Sequence, residues 1–170
     1  EKLQVVLSNV SGSLDSGEGV FSTKRETKRI LYVAITSNRG LCGGFNNNIL
    51  KAIRQEMAQM DAECHVLPLG KKANDAYKKL PELNPVGFED DAWQIFDDLN
   101  FDRAQIVAEH IMAQFEGGQY DEVKMVYNRF VNAAVQVATV ENYLPLEASE
   151  EAVDAAPSND TDDIFEPSQD

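Results

Sequence analysis

The sequence predicts an α/β fold: a doubly wound, mostly parallel sheet with helices on both faces and an antiparallel edge hairpin. Three observations carry this expectation. Ile30 to Ile35 is a continuous apolar run rich in β-branched and aromatic residues, the pattern of a strand buried on both faces. Amphipathic stretches then alternate with further short apolar runs, the order a parallel sheet requires. Finally, Val123 to Val131 and Val135 to Tyr143 are separated only by Asn132, Ala133 and Ala134, so they read as a hairpin.

In chain order, Glu1 to Val10 puts Leu3, Val6, Leu7 and Val10 on one helical face. It opens without a cap and reads as the end of a helix cut from a longer protein. Ser11 to Thr27, with Gly12, Gly17 and Gly19 among Ser and Asp, is a polar connector. After the first strand, Gly40, Gly43 and Gly44 turn the chain sharply. Gly43 is expected at positive φ, so that Gly43→Val should disrupt folding. Asn46 or Asn47 is expected to cap a helix near Ile49, whose stripe is Ile49, Leu50, Ile53, Met57 and Met60. Cys64 to Leu69 is a second strand, ended by Pro68 and Gly70. Lys71 to Leu80 is a helix with a basic side, Lys71, Lys72, Lys78 and Lys79. Leu83 to Phe88 is expected as a third strand, interrupted by Pro85.

Asp102 can cap a helix in which Ala104, Val107, Ala108, Ile111, Met112 and Phe115 recur at threes and fours. His110 falls on its polar side, as a surface histidine would. Gly117 and Gly118 stop it. In the last strand Val135, Val137, Thr139, Glu141 and Tyr143 face one way. The expected organisation is residues 1–27 as helix end and connector, 28–146 as a Rossmann-like domain, and 147–170 as an acidic segment. Low apolar content and high charge predict disorder over Ala148 to Asp163.

Charge narrows the function. A net charge of −14 argues against nucleic acid and anionic membranes, both of which call for basic patches. Residues 147–170 hold nine acidic residues and no basic one, leaving only −5 on the first 146 residues. Cys42 and Cys64 read as reduced thiols, and two histidines make no convincing zinc set. No stretch is long and apolar enough to cross a bilayer, so no direct membrane insertion is expected. The glycine turn lacks the Lys and Ser or Thr of a P-loop, and the Gly-x-Gly-x-x-Gly of a dinucleotide site. A ligand crevice would lie at the strand carboxyl ends, where Asn38 to Gly44 should approach Asn128 to Val131. Arg39 and Arg129 are the conspicuous polar side chains there, without acid, base or nucleophile beside them. Contact rather than catalysis is expected, with no cofactor and no metal. The alternatives are a small doubly wound nucleotide-binding protein or enzyme, and an adaptor whose acidic tail binds basic partners.

Thr36-Ser37-Asn38-Arg39-Gly40-Leu41-Cys42-Gly43-Gly44-Phe45-Asn46 closely resembles the signature turn of the gamma subunit of F-type ATP synthases. Asp121-Glu122-Val123 through Val126-Tyr127-Asn128-Arg129-Phe130 is similar to that family's penultimate strand. Leu144-Pro145-Leu146 and then Ile164-Phe165-Glu166-Pro167-Ser168 resemble its exit into a long C-terminal helix. Asn38 departs from the family, which usually has Asp there. The resemblance implies the globular middle of a rotor that binds no nucleotide and is not itself an enzyme. It implies an alpha/beta catalytic hexamer reached through long terminal helices, an epsilon subunit, and a proton-driven membrane c-ring as partners. It also implies a peripheral position on the cytoplasmic face of a bacterial inner membrane. Arg39, Leu41, Phe45, Tyr143, Leu144, Ile164, Phe165, Glu166 and Pro167 are the candidate subunit contacts by position in this resemblance.

Overall fold

β1 (Arg29–Ile35) forms where the apolar run sits, and its five central residues, Ile30 to Ala34, are buried. The computed structural model describes residues 19–88, 91–132 and 135–146. The chain continues through α1 (Phe45–Met57), β2 (Glu63–Leu69), α2 (Lys71–Tyr77) and α3 (Phe101–Glu116) to β3 (Glu122–Asn132) and β4 (Val135–Leu144). The four strands lie in the order β2-β1-β3-β4. β1 pairs parallel to both β2 and β3, and β3 pairs antiparallel to β4. β1 is therefore central, which is why its side chains are apolar on both faces.

Each face has its own core. On one, Ile49 and Ile53 of α1 and Ala73 and Tyr77 of α2 cover Ile30, Tyr32, Ala34, Val66 and Val126. On the other, Ile111 and Phe115 of α3 and Ile95 of a 3-10 segment (Ala92–Asp97) cover Leu31, Val33, Leu67, Leu69 and Val123. Burying each large side chain contributes about 1.5–3 kcal/mol, so the two helical layers are what hold the sheet.

Several local expectations are corrected. Leu83 to Phe88 is not a strand: Pro81–Leu83 form a 3-10 turn, and Gly87 takes a φ of 81°. Pro85 has no N–H to give, and the Val86 N–H goes to Tyr120 Oη instead of a neighbouring strand. Pro68 does not end β2. It lies within it, opposite Ala34, on an edge strand where a missing N–H is tolerated. The first helix begins at Phe45, after Gly44, without a side-chain cap. The third is capped by Asn100, which accepts the Arg103 N–H, rather than by Asp102 in its first turn. Ala104 is exposed, and Val107 is the first residue of α3 that packs against the core. His110 is half-buried, its ring 5.5 Å from that of Phe88. The expected N-terminal helix end and the acidic segment lie outside the described residues.

Candidate functional site

The glycine loop leaves the carboxyl end of β1 and is fastened on three sides. Buried Thr36 donates its N–H to the Leu69 carbonyl at 2.8 Å, and its Oγ1 accepts the Ala73 N–H at 2.9 Å. The Lys72 N–H reaches the Ser37 carbonyl at 3.3 Å. Thr36 and the start of α2 come this close only because residue 70 is glycine. Gly70 has a φ of 109°, and a Cβ there would collide with the Thr36 carbonyl oxygen.

The second fastening is Asn46, which is 8% exposed. Its Oδ1 accepts the Ser37 N–H at 2.9 Å, and its Nδ2 donates to the Arg39 carbonyl at 3.1 Å and to Cys42 Sγ at 3.0 Å. Ser37 Oγ also donates to the Arg39 carbonyl, at 2.7 Å. Asn46 thus staples the loop closed from inside the first turn of α1, a role the capping expectation missed. On the third side Asn38 Nδ2 donates to Asp97 Oδ1 at 2.8 Å, while its Oδ1 accepts the Lys71 N–H at 2.9 Å.

These fastenings push the tip outward. Leu41 is fully exposed and sits at a φ of 58°, unusual for a residue with a side chain. Arg39, Gly40 and Cys42 are exposed beside it, and Phe45 is half-buried. Gly43 takes the expected positive φ, 58°, yet a Cβ there would meet open space.

The expected approach of the loop to β3 is present. Asn128 Nδ2 donates to the Phe45 carbonyl at 2.8 Å. Between them lies a crevice of about 270 Å³ lined by Cys42, Gly44, Phe45, Asn48, Asn128 and Gln136. Its lining consists of three amide side chains, a thiol, Phe45 and Gly44, with no charged side chain. Arg129 is exposed on β3, opposite Val137.

The other candidate residues lie at the opposite end of the sheet. Tyr143 is half-buried against the core, and Leu144, 3% exposed, is part of that core and pairs with Val123 at the start of β3. Arg39, Leu41 and Phe45 are therefore separated from Tyr143 and Leu144 by the length of a seven-residue strand, about 20 Å. Ile164, Phe165, Glu166 and Pro167 lie outside the described residues.

At this second end the two flanks of the domain meet. The Leu146 N–H donates to the Phe21 carbonyl at 2.6 Å, and the Phe21 ring stacks on Phe115 with centroids 6.3 Å apart. Arg25 lies over the same Phe115 ring, 4.9 Å from its centroid, and donates to its carbonyl at 2.8 Å. Asp121 fixes the start of β1, its Oδ2 accepting the Lys28 and Arg29 N–H groups, each at 2.9 Å. Sequence periodicity carries none of these contacts, because each joins residues about 90 or more positions apart.

Comparison with known proteins agrees with this geometry. A family profile described as ATP synthase matches residues 1–170. The ATP synthase gamma chain of Flavobacterium johnsoniae is 40% identical over 99% of this chain and 57% of its own length. That of Christiangramia forsetii is 39% identical over the same shares. This chain thus spans little more than half the length of the curated relatives it matches. A Tetrahymena thermophila mitochondrial ATP synthase structure of the central stalk and c-ring is similar at a TM-score of 0.56. That similarity has 26% identity and covers 85% of this chain and 66% of the other. With the signature turn, the sheet order and these relatives in agreement, the chain belongs to the ATP synthase gamma-chain family.

Proposed function

We propose that this chain is the globular part of the central stalk, or rotor, of a proton-translocating F-type ATP synthase. It couples rotation of a membrane ring to ATP synthesis or hydrolysis in an alpha/beta catalytic hexamer, and performs no chemistry itself. The observation that carries this reading is the Leu146–Phe21 hydrogen bond. This bond brings the first and last described stretches of the domain together at one end of the sheet, as a pair of shaft helices would require.

A torque-bearing block also has to be stiff. Cores on both faces of the sheet and a loop held by three sets of hydrogen bonds supply that stiffness. Contact with the epsilon subunit and the c-ring is proposed through Arg39, Leu41, Phe45, Tyr143 and residues 164–167. The subunit would sit peripherally on the cytoplasmic face of an energy-transducing membrane. No helix among the described residues is long and apolar enough to cross one.

An ATP synthase assembled without this segment should hydrolyse ATP but pump no protons into membrane vesicles. Undiminished pumping, or ATP hydrolysis by the isolated chain, would contradict the proposal.

A further inference from the structure

Of the two histidines, His65 is the buried one, 5% exposed on β2. Its Nδ1 lies 3.0 Å from Tyr120 Oη, and its Nε2 lies 3.3 Å from Glu63 Oε1. Tyr120 Oη in turn accepts the Val86 N–H at 2.9 Å. The proton positions follow from what each group can do. The Val86 amide can only donate, so the phenol oxygen accepts there and its own hydrogen is left for His65 Nδ1. Nδ1 must then be bare, and Nε2 carries the imidazole proton toward Glu63. The His65 ring nitrogens, the Tyr120 hydroxyl and the Val86 N–H all have partners while His65 is neutral.

We propose that this chain of bonds is a proton-sensitive clasp whose release frees the loop of residues 84–88 from the body. A proton added to Nδ1 sets two donors against each other. The Tyr120 hydrogen must swing away from the ring, toward the side of the oxygen that takes the Val86 N–H. Tyr120 is fully buried, so no bulk water can receive that hydrogen. The phenol cannot escape by ionising. Burial is the main cause that raises its pKa, Glu63 adds to the rise, and the Val86 bond and Arg29 oppose it.

The charged and titratable groups around the imidazole are Glu63 on the same strand, Tyr120 in the turn before β3, and Arg29 of β1, opposite Glu63 in the register.

The loop has something to uncover. Asn84, Pro85 and Phe88 form one wall of a cavity of about 340 Å³, with Val66, Leu67 and Pro68 of edge strand β2 and Trp93 opposite. Freeing Val86 would loosen that wall and open the β2 edge. Gly87, at a φ of 81°, supplies the adjacent pivot.

Amide exchange at Val86 in the 170-residue chain tests this, expressed as a protection factor so that the intrinsic pH dependence of exchange is removed. Protection should fall roughly tenfold or more between about pH 8 and about pH 5.5. His65→Gln should abolish the pH dependence, and Tyr120→Phe should leave Val86 weakly protected at both values. Nitrogen-15 spectra of the wild-type imidazole give a second readout that needs no variant, and the Nε2–H tautomer is expected at the higher pH. Constant Val86 protection in the wild type, an equal fall in His65→Gln, or an Nδ1–H tautomer would overturn the clasp.

Discussion

Asn38 and Asp97 are joined side chain to side chain, Nδ2 to Oδ1 at 2.8 Å, across 59 residues of sequence. Because Asn38 Oδ1 also accepts the Lys71 N–H, one neutral amide ties the glycine loop both to α2 and to the Ala92–Asp97 segment. An Asp at this position would set two carboxylates against each other.

Asn38→Asp should therefore lower stability by about 1 kcal/mol near neutral pH, the contact being largely exposed. Repulsion raises the carboxylate pKa values in the folded state, so the penalty should fade as acid protonates one partner. Asp97→Asn in the same chain should restore stability. Urea unfolding of the single and double variants measures both effects.

Gly70 should be the least replaceable glycine of the β1–α2 junction. Gly70→Ala adds a Cβ that meets the Thr36 carbonyl, at a φ that L residues avoid. A loss of roughly 3 kcal/mol or more is expected from the strain and from displacement of the Thr36 hydrogen bonds. Gly43→Val should cost only about 1–2 kcal/mol, since its left-handed backbone is strained but its surroundings are open. The positive φ expected at Gly43 is present, so Gly43→Val is still expected to disturb the turn, by backbone strain rather than collision. Thermal melts of the two variants separate the cases.

The two cysteines should react at different rates. Cys42 is exposed on the loop, whereas Cys64 is half-buried and burial, the largest cause, raises its pKa. A raised thiol pKa means less thiolate at a given pH and slower alkylation. Mass spectrometry after limited alkylation near neutral pH should find Cys42 modified first. Asn46→Ala, which frees the Cys42 loop, should quicken that reaction further without changing Cys64.

Alkali should unfold the domain through its buried tyrosines. Burial pushes Tyr77 up to about 12 and raises Tyr32 and Tyr120 as well. A folded pKa above the unfolded value near 10 means the stabilisation is complete below about pH 10 and is lost as pH rises toward 12. For Tyr77 the loss should be on the order of 2–3 kcal/mol. Tyr77→Phe should remove that part of the dependence, as equilibrium unfolding at several alkaline pH values would reveal.

The central strand, the first helix and the hairpin were legible because each follows from a local pattern. Ile30 to Ala34 could be apolar throughout only if both faces were covered, and Val123 to Tyr143 could return only as a hairpin. The signature turn was legible as a motif, but its internal wiring was not. Asn46 had the position of a cap and instead became a staple, because Ser37 and Arg39 offered it backbone partners. Leu83 to Phe88 had the composition of a strand, and Tyr120 claimed the Val86 N–H that a strand would have used. Leu144 looked like a contact residue by position, yet its side chain fills the core. In each case the deciding partner lay far away in the chain, where no periodicity points.

The most direct test of the stalk reading is to attach a bead to the exposed Cys42 in an assembled complex whose catalytic hexamer is fixed to a surface. Added ATP should turn the bead continuously in one direction while hydrolysis proceeds. A bead that stays still or only jitters during steady hydrolysis would show that this block is not the rotor.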